Sequence, residues 1–100
     1  MLHTVNKSPF ASSTLTQCLN HLAAGAAVLL IEDGVYGATV GTGAGAQIAS
    51  CLKRFPVYVL GPDLEARGIS SNQVVGGVVT VDYTGFVKLV VEHDAVQSWL

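Results

Sequence analysis

Apolar residues in this chain gather in short, unbroken runs separated by turn-forming residues. The run Ala26-Ala27-Val28-Leu29-Leu30-Ile31 stops abruptly at Glu32-Asp33-Gly34. A strand buried on both faces has this form where it leaves a parallel sheet and turns toward a helix. Val28 to Ile31 is therefore expected as the central strand. Leu2 to Val5, Val57 to Leu60 and Val78 to Val81 are similar runs and are expected as its companions.

Between these runs the spacing changes to that of helices. Leu15, Cys18, Leu19 and Leu22 fall at i, i+3, i+4 and i+7, one face of a helix that Ser12, Ser13 or Thr14 can cap and Gly25 closes. Ile48, Cys51, Leu52 and Phe55 trace a second such face, ended by Pro56. Gly41, Gly43 and Gly45 precede it. An interior glycine costs a helix about 1 kcal/mol relative to alanine, so a flexible glycine loop is expected there and a fresh helix from about Ala46. Gly61-Pro62 predicts a turn, Asp63 a cap for a single helical turn through Ala66, and Ile69 to Gly77 a loop. A last helix starting at Asp82 or Thr84 is expected to carry Phe86, Val87, Val90 and Val91 inward. The tail from Ala95 to Leu100 ends in Trp99-Leu100, large apolar residues where chain ends are usually polar and frayed.

Strands alternating with helices imply βαβ units and a parallel sheet. The expected fold class is α/β: one domain over residues 1–100, three layers α/β/α, with a mostly parallel sheet of four to five strands. No sequence repeat, low-complexity tract or linker divides the chain.

Composition sharpens this picture at one point. Hydrophobic residues make up 50% of the chain and charged residues only 12%, against about 25% charged in an ordinary soluble domain. So few charges leave apolar surface that another subunit is expected to cover. A membrane is not the expected cover, because no apolar run approaches the about 20 residues a spanning helix needs. Met1 leads directly into the strand-like Leu2-His3-Thr4-Val5 and then polar Asn6-Lys7-Ser8-Pro9, unlike a secretory leader. The expected compartment is the cytoplasm, where Cys18 and Cys51 would be free thiols. A net charge of −2 gives no reason to expect direct nucleic-acid binding.

Candidate chemistry is sparse. The carboxyl ends of the expected strands, where α/β sheets bind ligands, carry Asn6-Lys7, Glu32-Asp33, Asp63 and Asp82-Tyr83. Carboxylates there could hold a cation. Each acid also stands at a helix start, however, so helix caps account for Asp33, Asp63 and Asp82 better. Gly41-Thr42-Gly43-Ala44-Gly45-Ala46 resembles a dinucleotide fingerprint, but it lies some ten residues past its strand and beside acids that repel phosphate. A loop reading is preferred. No metal site or cofactor is expected. Cys18 carries the remaining possibility, because a thiolate can accept sulfane sulfur and pass it on, and His21 three residues later could stabilise that thiolate. Against this, Cys18 shares the stripe of Leu15 and Leu22, and buried cysteines are usually inert. Cys51, His3 and His93 read as structural.

With these residues set out, the chain resembles the TusB/DsrH family of small sulfur-relay subunits. The likeness is carried by Met1-Leu2-His3-Thr4-Val5-Asn6-Lys7-Ser8-Pro9-Phe10, Leu29-Leu30-Ile31-Glu32-Asp33-Gly34-Val35-Tyr36 and Tyr58-Val59-Leu60-Gly61-Pro62-Asp63-Leu64-Glu65-Ala66-Arg67-Gly68, and continues through Val81-Asp82-Tyr83-Thr84-Gly85-Phe86-Val87 and Val96-Gln97-Ser98-Trp99-Leu100. The glycine-rich stretch Gly41 to Gly45 departs from the family pattern. The resemblance implies a cytoplasmic heterohexamer with two related subunits, of the DsrE/DsrF or TusD/TusC kind, exchanging persulfide sulfur with TusA-like and DsrC/TusE-like carrier proteins. Cys18 falls where DsrH carries its cysteine and the tRNA branch usually does not. The resemblance is thus closest to DsrH, and it implies dissimilatory sulfur oxidation with Cys18 as candidate persulfide carrier. The alternatives are a TusB-like subunit of the relay for 2-thiolation of the tRNA wobble uridine, or a purely structural subunit, since the family's main sulfur-accepting cysteine belongs to another chain.

Overall fold

The computed structural model describes residues 1–100. Five strands, β1 (Leu2–Val5), β2 (Ala27–Leu30), β3 (Val57–Leu60), β4 (Val79–Val81) and β5 (Val96–Trp99), form one sheet in the order β4-β3-β2-β1-β5. Every pairing is parallel. Four helices, α1 (Thr14–Leu19), α2 (Gly43–Cys51), α3 (Gly61–Ala66) and α4 (Tyr83–Glu92), are joined by 3-10 segments at Glu32–Ala38 and Ser71–Gln73.

Register decides which side chains meet. Leu2 lies beside Ala27 and Val96, and Val5 beside Leu30 and Trp99. Side chains alternate along each strand. One face therefore gathers Val5, Val28, Leu30, Val57 and Val59 with Leu15 and Cys18 of α1, Ile48 of α2 and Leu64 of α3. The opposite face holds Leu2, Ala27 and Leu29 beneath Leu89 of α4. Because β4 and β5 are the two edges, α4 carries the chain across that whole second face.

The structure corrects several expectations. The sheet takes the larger of the expected strand numbers: Val96–Trp99, to which the pattern assigns no element, is a fifth strand on the open edge of β1. Its alternation is weak and three of its four residues are exposed, so little in the run announced burial. Helix α2 begins at Gly43, inside the glycine stretch, not at Ala46. Thr42 caps it by accepting the Gly45 N–H at 2.9 Å, and a Cβ at Gly45 would collide with the Thr39 carbonyl. The glycine there serves a close approach, and the stretch is a helix start rather than a flexible loop. Helix α1 stops at Leu19, short of Leu22. Helix α4 turns Phe86, Leu89 and Val90 to the sheet, while Val87 and Val91 are 62% and 78% exposed. Apolar residues fill five of the six positions from Phe86 to Val91, so the pattern left the phase of that helix undetermined.

Candidate functional site

Cys18 lies on the last turn of α1 and has no exposed surface. It belongs to the same cluster as Val5, Leu15, Val28 and Ile48. Burial first, and the neighbouring Cys51 second, push its thiol up to about 12. Since the thiolate is the nucleophile, Cys18 as folded here is a neutral, enclosed thiol. The expected help from His21 fails for a local reason: α1 ends at Leu19, so helical spacing no longer applies. The His21 ring instead bonds the Gln17 carbonyl through Nδ1 at 2.8 Å and packs on Trp99, with ring centroids 5.4 Å apart.

Cys51 is half-buried and lines an open groove of about 300 Å³ between α1 and α2, with Thr16, Leu19, Gln47, Arg54 and Phe55. Burial raises its thiol as well. Arg54 extends over the Phe55 ring at 5.4 Å.

The carboxyl ends of β2 and β3 bring Glu32, Asp33 and Asp63 close to one another, in roles different from those expected, while Asp82 after β4 acts as expected. Asp82 is a cap, accepting the Gly85 N–H at 2.8 Å. Asp63 does not cap its own helix; its Oδ2 accepts the Glu32 N–H at 2.6 Å. Glu32 has φ +50, in the left-handed region, and this bond from a carboxylate helps hold it there. Asp33 pairs with Arg67, whose Nε lies 2.9 Å from Oδ1, while Arg67 also donates to the Asp63 carbonyl. Asp33 and Arg67 thus tie two resemblance-carrying segments to each other. No group of three or more His, Cys, Asp or Glu side chains is arranged to hold a metal ion. The Gly41 to Ala46 stretch packs as the capped start of α2 and does not follow a strand directly, as a phosphate cradle requires.

A constellation that the sequence reading missed lies at the β1–β5 edge. The Trp99 indole donates to His3 Nδ1 at 3.0 Å, and Trp99 also packs against His21. His3 is almost fully buried. Only the pairing of β5 with β1 brings residues 3 and 99 together, and the tail read as an end, not a strand.

Comparison with known proteins places this architecture. Residues 7–96 match the family model described as DsrH like protein. Protein TusB of Shigella flexneri is 36% identical over 101 residues, covering 99% of this chain and all of that one. Among solved structures, the ychN protein of E. coli superimposes with a TM-score of 0.76 at 17% identity, over 97% of both chains. A protein of unknown function from Methanobacterium thermoautotrophicum gives 0.71 at 12% identity, over 97% of this chain and 95% of its own; both share the fold. The full-length match to TusB and the match to the DsrH model have one conclusion: the chain belongs to the TusB/DsrH family.

Proposed function

We propose that this chain is a TusB-like subunit of a sulfur relay serving 2-thiolation of the tRNA wobble uridine, and that it contributes assembly surface rather than a reacting thiol. The full-length similarity to Protein TusB carries the reading. It reverses the preference for the DsrH branch and sulfur oxidation, which rested on Cys18. The burial and raised titration of that thiol favour a packing role, with persulfide chemistry on the partner subunits.

The outer face of α4 supports the assembly role. Tyr83, Val87 and Val91 fall at i, i+4 and i+8 on the solvent side, exposed by 62%, 62% and 78%. Three large apolar side chains aligned on one helix face are what a permanently assembled subunit presents to a neighbour. In this reading two related chains cover that surface in a heterohexamer, and TusA-like and TusE-like carriers deliver and remove sulfur at the assembled complex.

The test is complementation. Expression of this chain in a bacterium lacking TusB, read out as 2-thiouridine content of its tRNA, should restore the modification. Soluble expression without restoration would remove the tRNA reading, and restored sulfur oxidation in a strain lacking DsrH would install the other branch in its place.

A further inference from the structure

Between β1, β5 and the turn after α1 lies an open cavity of about 430 Å³, lined by Met1, His3, His21, Gln97, Trp99 and three alanines. Its volume falls in the range of small-molecule sites. Its polar lining has a definite hydrogen-bonding character. The Trp99 indole nitrogen can only donate, so His3 Nδ1, 3.0 Å away, is the bare nitrogen and the neutral ring keeps its proton on Nε2. His21 is arranged the other way round. Its Nδ1 faces the Gln17 carbonyl oxygen at 2.8 Å and must carry the proton, which leaves Nε2 without one until the ring becomes charged.

Each ring therefore commits Nδ1 to the fold and leaves Nε2 over. His3 Nε2 is not among the buried polar atoms left without a partner, His21 is an exposed residue, and both rings line the same cavity against the same indole. No carboxylate lines it, although acids outnumber bases in the chain. The charges facing His3 are the Met1 amino group on its own strand and His21 beyond α1; the lining residues of β5, Gln97 and Trp99, do not titrate. Burial first, then the Met1 amino group and His21, hold the His3 pKa below its ordinary value, which favours the neutral ring and its Nε2–H donor.

We propose that this cavity binds a small oxyanion, carboxylate or sulfate-like, held by His3 Nε2–H and by His21 Nε2 once that ring takes up a proton. A metal cation suits it poorly, because His3 Nε2 has no lone pair to offer while the Trp99 bond stands. Binding is linked to protonation: with His21 neutral the cavity sets one donor beside one acceptor, and with His21 charged it offers two donors. The proposal is independent of the relay reading.

Trp99 is the only tryptophan in the chain, so its emission reports on the cavity alone. The full-length protein is titrated with sodium sulfate and with sodium acetate at about pH 6 and about pH 7, ionic strength being held with sodium chloride. The expected result is a saturable change in emission, with affinity up to about tenfold tighter per pH unit toward acid, the limit for uptake of one proton. His21→Gln should abolish that pH dependence, and NMR of the unmodified protein should show both histidine rings shifting with the added anion. Saturation by acetate, by sulfate or by both assigns the anion's class. A response equal to that of chloride alone, no response, or an unchanged pH dependence in H21Q would each overturn the proposal.

Discussion

On one face of the sheet, twelve buried residues form a continuous core shared with α1, α2, α3 and the first 3-10 segment; on the other the buried cluster has four, Leu2, Ala27 and Leu29 of the strands and Leu89 of α4. The thick face closes over its contents, Cys18 included. The thin face has one helix to cover a five-stranded sheet, and that helix is itself apolar on its outer side. Stability and any assembly surface thus reside on opposite faces of the same strands. In a chain with so few charges, the helix that covers the second face leaves Tyr83, Val87 and Val91 exposed on its outer side.

Substitutions should separate the two faces, the largest effects coming from the thick one. Ile48 is fully enclosed, and Ile48→Ala should cost about 3–5 kcal/mol in denaturant unfolding. Leu89→Ala under α4 should cost less, about 2–3 kcal/mol, because a single helix can settle into the vacated space more readily than two packed ones. Equal losses would break the contrast between the faces.

Much of this organisation was legible in the chain, and most of the parts that were not share a cause. Buried strands such as Val57–Leu60 announce themselves because apolar runs flanked by glycine and proline have few alternatives. Asp82 was legible as a cap because a cap is local. The fifth strand and the outward side of α4 depend on contacts distant in sequence, whereas the start of α2 turns on the local Thr42 cap and the nearby Thr39 carbonyl. Val96–Trp99 is a strand because Leu2–Val5 has a free edge. Residue 45 is glycine because the Thr39 carbonyl leaves no room for a Cβ there. Cys18 could be placed on a buried stripe, but the depth of its enclosure needed α2 and the sheet. The Trp99–His3 bond joins residues 96 positions apart, which no local pattern encodes.

Two pH dependences sharpen the comparison further. An exposed thiol titrates near 9.0, whereas Cys18 in the fold holds its proton to about 12. The folded state therefore binds more protons above pH 9, and stability should be intact below that value and fall by up to about 1.4 kcal/mol per pH unit as pH rises beyond it. Cys18→Ala should remove most of that slope, and Cys51, also raised, should account for the remainder. His3 behaves in the opposite sense. Its folded pKa is below 6.5, so the unfolded chain takes up a proton first; the ring's contribution is complete above pH 6.5 and is lost as pH falls through that value. His3→Gln should flatten that acid limb in urea melts across the same range.

The smallest expected change in stability is at the outer stripe of α4. Val87→Glu combined with Val91→Glu should move the unfolding midpoint of the isolated chain by less than about 0.5 kcal/mol per site, while sedimentation should show reduced association with partner subunits. A large loss of stability with association unchanged would assign those residues to the core.

The account is tested most directly by tRNA 2-thiouridine content in a TusB-deficient bacterium expressing either Cys18→Ala or the Val87→Glu/Val91→Glu variant at matched levels. The account predicts restored thiolation with Cys18→Ala and little with the double variant. The reverse result, thiolation lost with Cys18→Ala and retained with the glutamates, would contradict it.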